Sequence, residues 1–225
     1  MDKTYDSLSN YLVQKEKSHP PEVRCLIAIA GIPGSGKSTL SERIVSRINN
    51  LSGTKKAIVV PMDGFHYTKK KLRTFSDPDE AIFRRGAHWT FDAQGFLILV
   101  ERLRAPIKND TVIGAPSFDH GRGDPVSDDI KIIIFEGLYL HLRNPPIWSS
   151  IVSHMDELWF IQVDREIAKE RIIKRHIQSH IGESREEAIF RVENNDMINA
   201  DYILNNSFPP TRIVHSIEAT EQEFD

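Results

Sequence analysis

The sequence contains little that points to secretion, membranes or nucleic acid. Cys25 is the single cysteine among 225 residues and lies in an apolar run, so we expect a buried thiol and no intrachain disulfide, as in a reducing compartment. The formal net charge is −3 with 27% charged residues, so neither nucleic acid nor a membrane surface is an expected partner. The first residues lack the apolar core of a signal peptide, and no apolar run approaches membrane-spanning length. We therefore expect a cytoplasmic protein, with the nucleus as an open alternative.

The chain length suits one hydrophobic core of ordinary size. Residues 4–17 carry apolar side chains on one face, which predicts a short helix before a pair of prolines. We expect residues 1–22 to form a helical appendage and residues 23–225 to form a single domain. A homo-oligomer is compatible with these features.

Short apolar runs alternate with helical patterns along the rest of the chain. The candidate strands are at 25–30, 57–61, 130–135, 158–163 and 200–204, with a further candidate at 212–217. The helical patterns are at 38–51, 92–104, 165–178 and 185–198. This alternation predicts an α/β fold with a parallel sheet of about five strands, covered by helices on both faces. Because ligands bind at the carboxyl ends of such strands, the polar residues that follow each run are candidate site residues.

A phosphate-binding loop follows the first candidate strand and precedes an amphipathic helical pattern. Its residues are Gly31, Ile32, Pro33, Gly34, Ser35, Gly36, Lys37, Ser38 and Thr39. The glycines allow consecutive backbone N–H groups to point at phosphate oxygens, and the start of the helix adds partial positive charge. In this motif Lys37 contacts the β- and γ-phosphates, and the Ser38 hydroxyl is a ligand of magnesium. The motif predicts a nucleotide-binding fold of the P-loop NTPase type.

Two of the candidate strands end in a carboxylate. Asp63 precedes a glycine at a place where an acceptor hydroxyl could meet the γ-phosphate, so it is a candidate general base. The alternative for Asp63 is a cap of the next helix. Glu136 ends an almost wholly apolar run, as in a Walker B strand, and could ligate magnesium or hold one of its waters. The alternative for Glu136 is a solvated acid at the end of a buried strand.

A basic helical pattern follows the fourth candidate strand. Arg171 and Arg175 lie four residues apart and share a face, so they could clamp the transferring phosphoryl group. A solvated basic face is the alternative. A polar, glycine-containing segment over 179–185 has the composition of a hinge, so we expect a small helical lid over about residues 171–190.

Two polar segments between the second and third runs are candidates for an acceptor site. The first begins with Arg84 and Arg85, and the second contains Phe118 and His120. Mixtures of aromatic and hydrogen-bonding groups line small-molecule sites, and ordinary surface turns are the alternative.

The order of these motifs resembles the uridine kinase, pantothenate kinase and phosphoribulokinase family over roughly residues 25–204. The resemblance rests on the phosphate loop, Asp63-Gly64-Phe65, Phe118-Asp119-His120, Glu136-Gly137 and the helix with Arg171 and Arg175. It implies that Asp63 activates the acceptor hydroxyl, that Glu136 is the acid of the family's Glu-Gly strand end, and that the two helix arginines belong to the lid. It also implies that the aromatic and the histidine of the middle segment line the acceptor pocket.

Departures from the uridine kinase pattern bear on the substrate. Uridine kinases carry Asp-Ser-Phe-Tyr after the second strand, whereas Asp63-Gly64-Phe65-His66 is more similar to the pantothenate kinase form and makes Phe65 and His66 candidate substrate residues. Gly86 stands where uridine kinases have a ribose-contacting aspartate, and the lid lacks their paired arginines. These differences make a kinase a firmer expectation than a uridine kinase.

The leading interpretation is a kinase that uses ATP and Mg²⁺ to phosphorylate a hydroxyl of a small metabolite, with a nucleoside as the first candidate. An anionic alcohol such as pantothenate or glycerate is the alternative, because Arg84 and Arg85 could recognise a carboxylate. A nucleotide-binding regulator is a different class, but the sequence has no Asn-Lys-x-Asp motif and Asp63 would be unexplained. An adenylate-kinase-like enzyme would need more arginines in the middle segments.

Overall fold

The computed structural model describes residues 2–108, 112–116, 125–179 and 184–216, which form three layers with a parallel sheet in the middle. The strands are β1 (Cys25–Gly31), β2 (Ala57–Pro61), β5 (Ile132–Glu136), β6 (Glu157–Gln162) and β7 (Arg212–His215). Their order is β2-β5-β1-β6-β7, and all four pairings are parallel. The predicted α/β fold with a five-stranded parallel sheet is confirmed.

Helices cover both faces of the sheet. The longer ones are α1 (Asp2–Lys17), α2 (Lys37–Ser52), α5 (Ala93–Arg104), α7 (Arg165–Gln178) and α9 (Met197–Asn206), and the shorter ones are α3 (Lys69–Leu72), α4 (Pro78–Phe83), α6 (Pro146–Val152) and α8 (Arg185–Arg191). A separate two-stranded ribbon pairs β3 (Ile113–Gly114) with β4 (Pro125–Val126). Within the described ranges, no helix combines the length and apolar character needed to cross a membrane.

Strand β1 is buried along its whole length because both of its faces are covered. Leu26, Ala28 and Ala30 point into the core beneath α5 and α6, whereas Cys25 and Ile27 point into the core beneath α1 and α2. This explains why the run is continuously apolar instead of alternating with polar residues. The Cys25 thiol is fully buried, as the apolar run predicts, and burial raises its pKa to about 12.

Helix α1 packs against α2 through Leu8 and Leu12. Its polar side is joined to β6, because Lys15 Nζ lies 2.6 Å from Glu157 Oε1 and the Tyr11 hydroxyl donates to the same oxygen at 2.6 Å. Burial opposes ionisation of Glu157, but hydrogen bonds from Lys15, Thr211 and Tyr11 lower its pKa to about 2. The first helix therefore contributes to the core of the domain, and the division at residue 22 stays a prediction.

The prediction of a strand at 200–204 is wrong, because these residues lie inside α9. Met197, Ala200 and Ile203 are three residues apart and are all buried, which is helical spacing. A π-helical turn over Val192–Asp196 joins α8 to α9. The candidate at 212–217 forms β7 instead and completes the sheet.

A small helical cluster sits over the phosphate loop. Ile172 and Ile173 of α7 pack with Ala188 of α8, with the start of α9 and with Ile32 of the loop. The lid predicted over about 171–190 coincides with the end of α7 and most of α8, and residues 180–183 of it lie outside the described ranges.

Candidate active site

The phosphate loop connects β1 to α2 and is closely covered by α7. Gly34 has a φ of +77°, and a Cβ there would lie 2.5 Å from the carbonyl oxygen of Ala168, so only glycine fits beneath this helix. Gly36 immediately precedes α2, whose N-terminus points its free N–H groups toward the loop. The segment from Gly31 to Thr39 thus has the backbone shape needed to hold phosphate groups.

Lys37 is the buried cation of this loop. Its Nζ donates to the carbonyl of Ile32 at 3.1 Å. Burial lowers the pKa of Lys37 to about 8, although the nearby carboxylates of Glu136 and Asp63 favour the charged form. Phosphate oxygens placed at this ammonium would favour its charged form still more strongly.

Glu136 and Ser38 meet beside the loop. The Ser38 hydroxyl donates to Glu136 Oε1 at 3.2 Å, and burial raises the pKa of Glu136 while the charge of Lys37 opposes that rise. A hydroxyl and a buried carboxylate are the hard oxygen donors that Mg²⁺ prefers. These two side chains therefore fit a magnesium ion, which would neutralise charge on the phosphate groups of a bound nucleotide.

Asp63 lies at the neighbouring strand end. Pro61 at the end of β2 pairs with Glu136 at the end of β5, and Gly137 permits the close approach because a Cβ there would lie 2.5 Å from Met62 Cβ. Asp63 sits in a 3₁₀ turn that has no side-chain cap, and its carboxylate is about half exposed, at 50%. The carboxylate is thus open to the site and does not serve as a helix cap.

The two arginines predicted to belong to the lid lie on α7, and Arg171 reaches the phosphate loop. Arg171 Nη1 donates to the Gly34 carbonyl at 3.3 Å and to the Ser216 hydroxyl at 2.9 Å. The Arg175 side chain is exposed on the same helix, and after burial its charge also contributes to lowering the pKa of Lys37. Ser216 follows the last strand, and no motif in the sequence indicates its contact with the lid.

The predicted acceptor residues near Asp63 differ in their surroundings. Phe65 is buried and packs edge-on against Phe96 with ring centroids 5.0 Å apart, so its ring belongs to the core. His66 Nδ1 lies 2.9 Å from the Asp63 carbonyl oxygen. Arg85 Nε donates to the Tyr67 carbonyl at 3.3 Å, and the charge of Asp63 acts on this guanidinium. Of these, His66 lies beside the Asp63 carboxylate, with its Nδ1 3.9 Å from Asp63 Oδ1.

Arg84 contacts two asparagines from the far end of the chain. Its Nε donates to Asn195 Oδ1 at 3.0 Å and its Nη2 donates to Asn199 Oδ1 at 3.1 Å. Sequence reasoning assigned no role to either asparagine, because neither belongs to a motif. Phe118 and His120 lie outside the described residues, so their predicted place in the acceptor pocket stays a prediction.

Comparison with known proteins adds three findings. The profile described as "Phosphoribulokinase / Uridine kinase family" matches residues 26–215. A Schizosaccharomyces pombe protein named "Putative uridine kinase C227.14" is 41% identical over 220 residues, with 95% of this chain and 91% of that protein covered. An Aspergillus versicolor protein named "ATP-dependent kinase-like protein notR'" is 46% identical over 160 residues, which are 68% of this chain and 92% of that protein.

A solved structure agrees with the fold. It is titled as a putative fructose transport system kinase from Silicibacter sp. TM1040, and it has a TM-score of 0.80 and 28% sequence identity. The similarity covers 93% of this chain and 98% of that structure.

Proposed function

The chain belongs to the phosphoribulokinase/uridine kinase family, and from this premise we propose that it transfers the γ-phosphate of ATP, with Mg²⁺, to a hydroxyl of a small molecule. One observation carries the proposal. Asp63, Glu136 and the phosphate loop follow the carboxyl ends of three adjacent strands, so the residues proposed as base, metal ligand and phosphate cradle lie side by side.

Each group has a distinct task in this reaction. Lys37 and the loop N–H groups would hold the β- and γ-phosphates, while Ser38 and Glu136 would hold the magnesium ion, which would neutralise phosphate charge. Arg175 supplies positive charge to the transferring phosphoryl group. This charge stabilises the transition state most strongly once the lid excludes water from the site. Asp63 orients the acceptor hydroxyl and accepts its proton late in the transfer.

A nucleoside is the first acceptor class to consider, because the Schizosaccharomyces pombe relative carries a uridine kinase name. A second class is an anionic alcohol such as pantothenate or glycerate, which the guanidinium of Arg84 beside the site favours. The acceptor panel should therefore contain nucleosides, neutral sugars, pantothenate and glycerate, with ADP release measured in the presence of ATP and magnesium.

The Asp63→Asn variant tests the proposed base. Because asparagine is nearly isosteric but accepts no proton, we expect single-turnover transfer to fall roughly 10²- to 10⁴-fold, the range of a positioned base. ATP affinity measured by calorimetry should change little, since the phosphate loop and Ser38 would hold the nucleotide without Asp63. The matched control is Asp6→Asn, which makes the same change at an exposed α1 residue paired with Arg47. A loss smaller than about tenfold would remove Asp63 from the role of base.

A further inference from the structure

Arg84 is held in place by two neutral side chains. It follows directly after α4, and its guanidinium donates to Asn195 Oδ1 and to Asn199 Oδ1 at 3.0 and 3.1 Å. Both asparagines are buried, with 3% and 4% of their surface exposed. Asn199 Nδ2 lies 3.4 Å from Asn195 Oδ1, so the two amides also contact each other. In the part of the chain that the structure describes, the guanidinium is thereby oriented without a carboxylate.

The asparagines reach Arg84 through an irregular part of the helix. Asn195 lies in the π-helical turn Val192–Asp196, in which the Met197 N–H bonds to the Val192 carbonyl, five residues earlier. Such turns widen the helix by one residue and occur frequently at functional sites. Here the wider turn precedes α9, so Asn195 and Asn199 come to lie at the same guanidinium.

Among the described residues, no carboxylate forms an ion pair with Arg84. Four other described arginines pair with carboxylates, namely Arg47, Arg104, Arg165 and Arg185. Arg84 pairs with amides only, and within the described ranges its Nη1 makes no hydrogen bond. An arginine can bind a carboxylate or phosphate with two parallel N–H groups. A guanidinium that is held by neutral amides keeps its charge and is therefore suited to an anionic ligand.

Tyr139 follows the end of β5 and lies within electrostatic range of both Arg84 and Asp63. Its pKa is raised mainly by burial, with Arg84 opposing the rise and Asp63 adding to it. The Tyr139 hydroxyl donates to the carbonyl of Gly86 at 2.6 Å, which ties the segment after Arg84 to the end of β5. A molecule with its hydroxyl at Asp63 could therefore place another group at Arg84.

We propose that Arg84 binds a carboxylate or phosphate group of the acceptor, and that Asn195 and Asn199 are positioning residues that orient it without cancelling its charge. This inference rests on the kinase function proposed above and deepens it. The acceptor is then an anionic hydroxy compound, in which the hydroxyl is phosphorylated and the anionic group fixes its orientation. The alternative is that the three residues only join α4 to α9.

The Asn199→Asp variant separates these two roles. A carboxylate at this position keeps the contact with Arg84 and strengthens it, but it neutralises the guanidinium. If Arg84 binds an anionic acceptor, the KM for that acceptor should rise roughly 10- to 100-fold, while kcat and the KM for ATP stay within about twofold. If the contact only joins helices, the variant should keep the wild-type KM for the acceptor, and that result overturns the inference.

The matched control is Asn194→Asp, which adds the same charge in the π-helical turn that precedes α9. Asn194 is exposed and its Nδ2 donates to the Phe190 carbonyl, away from Arg84. Its acceptor KM should equal that of the wild type. An equal rise in both variants would mean that general repulsion, and not Arg84, causes the effect, which contradicts the inference.

A second pair of variants keeps the test valid if Asn199→Asp does not fold. Arg84→Gln removes the charge and should raise the acceptor KM at least tenfold, whereas Arg84→Lys keeps the charge and should recover part of the loss. No difference between the two variants would contradict binding of an anion by Arg84.

The acceptor panel separates failure of this inference from failure of the kinase function. Pantothenate, glycerate, other hydroxy acids and sugar phosphates form one arm, and nucleosides and neutral sugars form the other. ADP release with the anionic arm supports the inference. Turnover of neutral acceptors alone keeps the kinase function and rejects the anionic acceptor, whereas no turnover above the ATPase background in either arm rejects the kinase function itself.

Discussion

Lys37 shows how burial makes one side chain sensitive to pH. The free protein holds its ammonium in a buried position, and this lowers its pKa to about 8. A bound nucleotide would favour the protonated form, because its phosphates lie against the ammonium. We therefore expect ATP binding to be coupled to the protonation of this lysine above pH 8.

We expect ATP affinity to fall as the pH rises through about 8. With a pKa near 8, roughly nine tenths of Lys37 is protonated at pH 7 and roughly one tenth at pH 9, so the dissociation constant should increase about tenfold. Calorimetry at both pH values, in buffers with different ionisation enthalpies, should show proton uptake on binding at pH 9.

The Lys37→Arg variant is the control, because a guanidinium stays protonated over this range. Its dissociation constant for ATP should not change between pH 7 and pH 9. A constant affinity in the wild-type protein over the same range would contradict the assigned titration.

Among individual residues, those that belong to a contiguous motif could be recognised from the sequence as candidate site residues. The nine residues of the phosphate loop are recognisable because several of them must lie within one short turn around the phosphates. Asn195, Asn199 and Ser216 were not predicted, since each contacts an arginine that is distant in the chain. Such contacts depend on the way α7 and α9 pack, which local spacing does not encode.

At the scale of elements, α1 connects the start of the chain to the sheet. Leu12 is fully buried between α1 and α2, and the Lys15–Glu157 ion pair fixes the polar side of the helix. This helix contacts the amino end of β6, where Glu157 lies. The site residues follow the carboxyl ends of the strands, at the opposite end of the sheet. Its contribution should therefore be to stability and not to catalysis.

The Leu12→Ala variant should lower the free energy of unfolding by about 3 kcal/mol, because a buried leucine is replaced and a cavity remains. Urea denaturation measures this change. ATP affinity of the folded variant at low temperature should equal that of the wild type. The control is Leu51→Ala on α2, where the side chain is 60% exposed and the loss should stay below about 0.5 kcal/mol. A loss below about 1 kcal/mol for Leu12→Ala would mean that α1 is not part of the cooperative core.

Two of the strands that were predicted correctly are runs in which every residue is apolar. The runs at 25–30 and 57–61 are strands because continuous apolar residues of that length are buried on both sides. The run at 200–204 was assigned wrongly because five mainly apolar residues fit a buried strand and a helix equally well. The buried series Met197, Ala200 and Ile203 reveals the helix only when it is read together with the preceding turn.

At the scale of the whole molecule, ligand binding and folding are linked. The phosphate loop has its shape only when β1, α2 and α7 are packed together, so a nucleotide binds the folded state alone. Magnesium–ATP at a hundred times its dissociation constant should stabilise the protein by about 2.7 kcal/mol. For a domain of this size the melting temperature should rise by roughly 5–10 °C.

Thermal melting with and without magnesium–ATP measures this shift. Lys37→Ala should lose most of the shift, because the phosphates lose their buried partner, whereas Lys3→Ala on the exposed side of α1 should keep it. EDTA in place of magnesium should reduce the shift in the wild-type protein. Equal shifts for both lysine variants would contradict nucleotide binding at this loop.

The strand order also determines when this fold can form during synthesis. β1 and β2 do not pair with each other, since both pair with β5 and β1 also pairs with β6. A nascent chain that ends before residue 132 therefore contains two apolar strands without a partner in the sheet. Most of the protein must leave the ribosome before the first pairing closes, and until then these strands are open to chaperones and to aggregation.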